Sequence, residues 1–494
     1  MTFLGIDVGT SALKAVVVDA RGAALARASA PYATLSPQPG WSEQRPEDWW
    51  GACRAALAEL RARVDLAAVE AVGLTGQMHG SVLLDGEREV IRPALLWNDQ
   101  RTADEAAEIE RVVGLERLVR ITGSRSFTGF TAPKLLWLRR KEPLAFKRLR
   151  HLLLPKDYIR LQLTGELATD AGDASGTGLF DVAARWWSPE LGDDLELSMG
   201  VLPVVYEGPE VTGRVRDDLA TELGLRAGVP VVAGGGDQQA GAVGAGAVAP
   251  GVAMVSIGTS GVVFATADAY APEPEGRLHA MCHAVPGAWH TMGVMLSAGG
   301  ALAWLADALR PLAADVTPER LVVMASEVAP GADGLLFLPY LQGERMPVYD
   351  PQARGAFVGL SSSCTVAHLA RAVLEGVALN LRQLLELTRA TGTPVDEVRL
   401  IGGGAQGGVW PRVLADVLGE PVAIVEANDG AAFGAALLAA AGAGAFGDVR
   451  EAAGVVRLRE TVAPAPDAAE TYGPLRERFA ALYEATAAVG RAAL

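Results

Sequence analysis

The chain has 494 residues, 50% apolar and 20% charged, which is ample for sizeable cores and excludes a disordered chain. At roughly 150 residues per domain, that length corresponds to two or three domains. Lys and Arg number 43 against 58 Asp and Glu, so the acidic surface repels phosphate backbones, and a polyanionic ligand would need a local cradle of backbone N–H groups.

The first elements form a β-hairpin: FLGIDV, a turn at Gly9-Thr10-Ser11, then the β-branched run LKAVVVDA. The turn is either an ordinary hairpin turn or an anion cradle, since glycine lets an anion approach and the hydroxyls and N–H groups can hold its oxygens. Asp7 ends the first strand. It either caps the turn or holds a hard cation, the partner that a carboxylate beside a phosphate loop requires. WSEQRPEDWW leads into a helix near Pro46. The strand VEAVGLTG ends in GQMHG, Gly76–Gly80, whose His79 is either structural or placed to hydrogen-bond a polyol. Trp97-Asn98-Asp99 offers an aromatic body and two polar heads, suited to a sugar or to an ordinary buried Trp. Helices follow around 102–119 and 134–141.

VPVVAGGGD brings strand character back and leaves Asp237 after three glycines. Asp237 is either an Asx turn or helix N-cap, or a base at the mouth of a cleft. A second β-turn-β, VSIGTSGVVFA, repeats the first around Gly258-Thr259-Ser260. Helical spacing dominates 365–390. Gly402-Gly403-Gly404-Ala405-Gln406-Gly407 then follows the strand VRLI as GxGxxG, with Glu426 about 20 residues on. That fingerprint feeds one alternative, an NAD-dependent oxidoreductase. The divisions expected are 1–245, 246–447 and a less ordered tail, 448–494. The uncharged stretches 238–267 and 430–447 are too rich in Gly and Ala to favour a membrane.

Cys53, Cys282 and Cys364 are widely spaced and form no CxxC, which excludes a disulfide framework and fits the cytoplasm. No lysine follows a glycine, so a Walker A loop is absent.

Together GIDVGTS, WSEQRPEDWW, TGQMHG, LLWNDQRT, LLPKDYIRLQLTGE, TDAGDASGT, GGGDQQAGAVGAG, SIGTSGV, LPYLQGER and IGGGAQ resemble the FGGY family of carbohydrate kinases, among the actin/hexokinase-like ATPases. The resemblance implies two ribonuclease H-like α/β domains with mixed five-stranded sheets around a central cleft. The N-terminal domain is expected to take the sugar and the C-terminal one ATP with Mg²⁺. It implies Asp237 as general base, with Met78 and His79 toward the sugar, where Gln238, Trp97 and Asp99 are also expected. Thr10, Ser11, Gly258, Thr259, Ser260, Gly299, Gly403 and Gly404 are implied toward ATP, and Asp7 with Asp237 toward Mg²⁺. GQMHG and LLWNDQRT are most similar to kinases that phosphorylate D-xylulose at its 5-hydroxyl; siblings acting on ribulose, fuculose or glycerol share the ATP motifs. Gln238 departs from the Asn usual after the base in D-xylulose kinases, and glycerol kinases share the Gln. No nucleic-acid or membrane partner is expected, and the expected assembly is a homodimer.

Overall fold

The computed structural model describes residues 1–313, 315–426 and 429–491. The chain divides into two units. The first comprises Met1–Ala249, Thr266–His290 and a returning segment that ends at Val456; the second comprises Pro250–Ala265, Thr291 onward and the C-terminal segment from Arg457.

In the first unit the opening hairpin is β1 (Thr2–Val8) and β2 (Ala12–Asp19), with β3 (Ala24–Pro31) beside β2. Helix α1 (Pro46–Arg61) starts at the proline that the sequence marks. β4 (Val69–Gly76) lies parallel to β1, and β1 is buried from Phe3 to Val8, as suits a central strand covered on both faces. Helices α2 (Thr131–Lys141), α3 (Pro155–Thr164) and α4 (Ala171–Ser175) come next. Then come β5 (Val211–Arg214), β6 (Pro230–Val232), β7 (Gly235–Gly236) and helix α5 (Asp237–Gly244). The sheet order is β5-β6-β4-β1-β2-β3, and β7 also pairs with β4.

β6 and β7 are one strand broken at Gly234, which has φ +81. A Cβ there would lie 1.8 Å from the Leu74 carbonyl, so only glycine fits the break. Counted as one, this strand completes the five expected, and β5 adds a sixth position antiparallel to β6.

The second unit repeats this plan. β8 (Gly251–Ile257) and β9 (Gly261–Ala267) form a hairpin around the second Gly-Thr-Ser, and β10 (Trp289–Met295) lies beside β9. Helices α6 (Gly299–Leu309) and α7 (Val366–Ala390) precede β11 (Val395–Gly402), which runs parallel to β8. Helix α8 (Trp410–Leu418) leads to β12 (Val422–Val425). Helix α9 (Ala431–Gly442) belongs to the first unit. It explains the Gly/Ala-rich run at 430–447: a Cβ on Gly5 of β1 or Gly73 of β4 would lie 1.9 or 1.8 Å from the α9 carbonyls of Ala432 and Ala435. Small residues let this helix lie directly on the sheet.

The segment after 447 carries ordered elements. β13 (Leu458–Val462) pairs antiparallel with β12, and α10 (Ala468–Arg491) follows; residues 492–494 of this segment lie outside the described residues. The order β10-β9-β8-β11-β12-β13 matches β3-β2-β1-β4-β6/β7-β5 position for position. Each sheet therefore exceeds the expected five strands by at least an antiparallel edge strand. Among the described residues no helix is long and apolar enough to cross a membrane.

Candidate active site

Three parallel strand ends build the site of the first unit. Asp7 of β1 pairs with Thr75 of β4, and Gly235 of β7 pairs with the same Thr75. The chain leaves this edge as Gly9-Thr10-Ser11, as Gln77-Met78-His79 and as Asp237, the usual location of ligands in α/β sheets. Met78 meets the residue before Asp237 directly: a Cβ on Gly236 would lie 2.7 Å from Met78 Cγ. The N-cap of α5 is Gly236 and Asp237 is its first helical residue, so Asp237 is not the cap.

Burial pushes the Asp237 carboxyl up to about 7, the neighbouring Asp7 charge adds to the rise, and hydrogen bonds from Gln238 oppose it. Burial likewise pushes Asp7 up to about 6, against the attraction of Lys14 across the hairpin. Asp7 Oδ1 is buried without a hydrogen-bond partner among the described residues.

His79 has φ +66, a left-handed conformation that a non-glycine residue keeps only when its surroundings hold it. Its carbonyl accepts from Lys134 Nζ at 2.7 Å and from Thr131 Oγ1 at 3.1 Å. Its Nδ1 lies 2.5 Å from Gly176 O, and because a carbonyl can only accept, Nδ1 carries a proton. The ring stacks on Phe130 at 4.4 Å. Burial pulls the Lys134 ammonium down to about 7, with Asp99 acting against the fall.

Trp97 joins the first turn: its Nε1 donates to Thr10 Oγ1 at 3.0 Å, so its polar head is used within the protein. Asp99, also expected toward the sugar, lies in a buried ion pair. It is fully buried, forms a bidentate ion pair with Arg101 and accepts from Ser42 N at 2.7 Å. Arg101 is fixed in turn by Glu43 at 2.7 Å and by the Trp41 ring at 3.5 Å. Both oxygens of Asp99 thus accept hydrogen bonds from Arg101 or Ser42.

Beneath the site, Lys156 Nζ lies 2.7, 2.7 and 3.1 Å from Asp157, Asp170 and Asp173, all fully buried. Burial raises the Asp173 carboxyl well above its ordinary value, against the pull of Lys156. Arg160 donates to Val232 O at 2.8 Å and to Ala233 O, so this charged cluster holds the strand that ends at Asp237.

The second unit gathers its own expected residues. Gly299 N donates to Gly258 O at 2.8 Å, and Ala298 N and Gly300 N donate to Thr259 O at 2.8 and 3.0 Å. A Cβ on Gly299 would lie 2.5 Å from Gly258 O. Gly402 pairs with Ile257, and a Cβ on Gly404 would lie 2.7 Å from the Ile257 side chain. Gly258, Thr259, Ser260, Gly299, Gly403 and Gly404 therefore surround the end of β8, with Gly258, Thr259 and Gly403 exposed.

Sequence reasoning missed Gln44, Gln77, Lys134 and Thr131. Gln44 and Gln77 stand inside motifs that carry the family resemblance, but nothing local distinguishes them.

Two α/β units of one topology, each with a glycine turn after its first central strand, define a class that comparison makes explicit. The FGGY family of carbohydrate kinases matches residues 2–244 with its N-terminal domain and 253–443 with its C-terminal domain. The chain belongs to this family. It is similar to the xylulose kinase of Escherichia coli (strain K12), 43% identical over 98% of each chain. It is 37% identical to the xylulose kinase of Bacillus subtilis (strain 168), over 98% of this chain and 97% of that one. The crystal structure of xylulose kinase from Rhodospirillum rubrum, 34% identical, matches with a TM-score of 0.92 over 99% of this chain and 100% of that one. Gly402–Gly407, which raised the dehydrogenase alternative, lies within the C-terminal domain of the FGGY match.

Proposed function

We propose that this protein transfers the γ-phosphoryl group of ATP to the 5-hydroxyl of D-xylulose, giving D-xylulose 5-phosphate. The observation that carries the reading is the shared edge of Asp7, Met78, His79 and Asp237, in a chain whose relatives are named xylulose kinases. Asp237 orients the attacking hydroxyl and takes its proton at a carboxylate oxygen. Its raised pKa suits a base that works near neutrality. His79 hydrogen-bonds a sugar hydroxyl, and Met78 supplies the apolar wall.

The turns at Thr10-Ser11 and Gly258-Thr259-Ser260, with Gly299, Gly403 and Gly404, offer backbone N–H groups to the nucleotide. Such backbone binding suits a polyanion on a protein of net charge −15. The unpartnered Asp7 oxygen beside Asp237 fits a hard divalent cation. That is the pattern of a Mg²⁺ held by one or two carboxylates, water and phosphate oxygens. Asp7 and Asp237 are the residues that would hold Mg²⁺, which would there neutralise phosphate charge.

The same reading takes a cytoplasmic homodimer with ATP and a ketose as ligands. Its domains are a sugar-binding 1–245, an ATP-binding 246–447 and the C-terminal segment 448–494. The three free cysteines agree with a reducing compartment.

ADP release measured across D-xylulose, D-ribulose, L-fuculose and glycerol tests the reading. D-xylulose is expected to give the highest kcat/KM, because a pocket built to bond several hydroxyls rejects analogues that leave its polar groups unpaired. Glycerol turnover equal to that of D-xylulose would overturn the substrate assignment.

A further inference from the structure

Gln44 is fully buried, and its amide uses its whole hydrogen-bonding capacity. Nε2 donates to Thr10 O at 2.6 Å and to Thr34 Oγ1 at 2.9 Å. Oε1 accepts from Trp49 Nε1 and from Gln77 Nε2, both at 2.9 Å. An indole N–H can only donate and a backbone carbonyl can only accept, so these partners fix which end of the amide is nitrogen. An apolar side chain of equal size would fill the space but leave Thr10 O and Trp49 Nε1 unpaired.

Thr10 O belongs to the first Gly-Thr-Ser turn. Its neighbour Gly9 O accepts from Tyr32 OH and, at 3.4 Å, from Gln77 Nε2. A trans peptide points its C=O and N–H in opposite directions. With the Gly9 and Thr10 carbonyls drawn into the protein, the N–H groups of Thr10 and Ser11 face the other way, as an anion cradle requires. Through Gln77 the same amide reaches the loop of Met78 and His79.

We propose that Gln44 is a positioning residue for phosphoryl transfer, locking the peptide planes of Gly9-Thr10-Ser11 to the Gln77–His79 loop. The inference rests on the kinase reading for its consequence in turnover, but the locking itself is a property of the turn. Gln44 touches no substrate. It acts by holding the groups that do, and placement errors near 1 Å cost on the order of 10²-fold in rate.

Gln44→Glu tests it, because the carboxylate keeps the shape and both acceptor bonds but deletes the N–H donors. The expected result is a fall in kcat on the order of 10²-fold, with the KM for D-xylulose held within about threefold. Hydrogen exchange at the amides of 9–12 should quicken about tenfold or more, with the second unit unchanged. A kcat within about twofold of wild type and a lowered Tm would overturn the proposal, since Gln44 would then serve only the fold. A raised KM for the ketose at unchanged kcat would also overturn it, because the amide would then act through the 77–79 loop alone.

If Gln44→Glu does not fold, Thr34→Val at the exposed end of the network carries the test. It should lower kcat about two- to fivefold and quicken exchange at 9–12; no change in either overturns the proposal. A wild-type protein that releases no ADP with any ketose would overturn the kinase reading instead, and exchange at 9–12 in either variant would still decide the locking.

Discussion

The two Gly-Thr-Ser turns share their sequence and the topology around them, yet they are fixed by opposite means. In the first, side chains hold the carbonyls: Tyr32 and Gln77 on Gly9 O, Gln44 on Thr10 O, with Trp97 on the Thr10 hydroxyl. In the second, backbone does the holding, through the N–H groups of Ala298, Gly299 and Gly300. The residue two places before each turn differs as well: Asp7 in the first, Ser256 in the second. Duplicated topology thus supplied two similar cradles, and the first has a buried carboxylate, Asp7, in the strand that leads into it. The first should be sensitive to loss of a polar side chain or a charge, and the second to the addition of a Cβ.

The largest expected effect is at the charged cradle. Asp237→Asn keeps the volume and a hydrogen-bonding oxygen but cannot take a proton, so kcat should fall ~10²–10⁴-fold with the KM for ATP nearly unchanged. The same variant separates function from stability. The folded-state pKa of Asp237 is raised, so the carboxyl's contribution to stability is present below its unfolded value near 3.8 and is lost as pH rises through about 7. Asp237→Asn removes that cost, and its Tm should exceed that of the wild type at pH 8 but not at pH 4. The wild-type kcat/KM should fall about tenfold per pH unit below the Asp237 pKa, because only the carboxylate is active. A flat acid limb, or a kcat for Asp237→Asn within about threefold of wild type, would place the base elsewhere.

At the backbone cradle the sharpest probe is Gly299→Ala. Its Cβ would sit 2.5 Å from Gly258 O, a backbone atom that cannot swing aside, so the turn itself must move. The KM for ATP should rise about tenfold and the KM for D-xylulose should stay within about twofold. Steady-state kinetics with each substrate varied in turn will read this. Equal rises in both would mean that the second turn is not a nucleotide-specific element.

The contrast also explains what the sequence could reveal. Both hairpins, the GGGD strand end and the run at 402–407 were legible because hairpins, strand ends and glycine turns are signalled by adjacent residues. The pairing of Asp99 was not legible: WND reads as an aromatic body with two polar heads, but Arg101, two residues on, closes onto the carboxylate. Gln44 and Lys134 were not legible as site residues because their partners lie 34 and 55 positions away and are brought near only by the fold. The segment after 447 looked like a tail by composition. Its strand β13, exposed for most of its length, gains order by pairing with β12, and such edge pairing has little apolar periodicity to announce it.

The smallest expected effect sharpens the comparison most, because it asks how the charged cradle is tuned. Gln238 stands next to Asp237, and its backbone N–H and side-chain amide act against the rise that burial causes in the carboxyl's pKa. Gln238→Asn keeps the backbone N–H and shortens the side chain by one methylene, so only the side-chain bond is weakened. Hydrogen bonds to a charged group contribute about 1.5–3 kcal/mol when complete, and a partial loss should cost a fraction of that. The acid limb of kcat/KM should therefore move to higher pH by a few tenths of a unit, with kcat at pH 8 down about two- to fivefold. The ranking of ketoses should shift with it, since the amide that steadies the base stands where D-xylulose kinases usually carry Asn. A KM for ATP raised about tenfold with the ketose ranking unchanged would assign Gln238 to the nucleotide side instead. The pH profile of Gln238→Asn against that of wild type decides whether the residue acts through Asp237 or on its own.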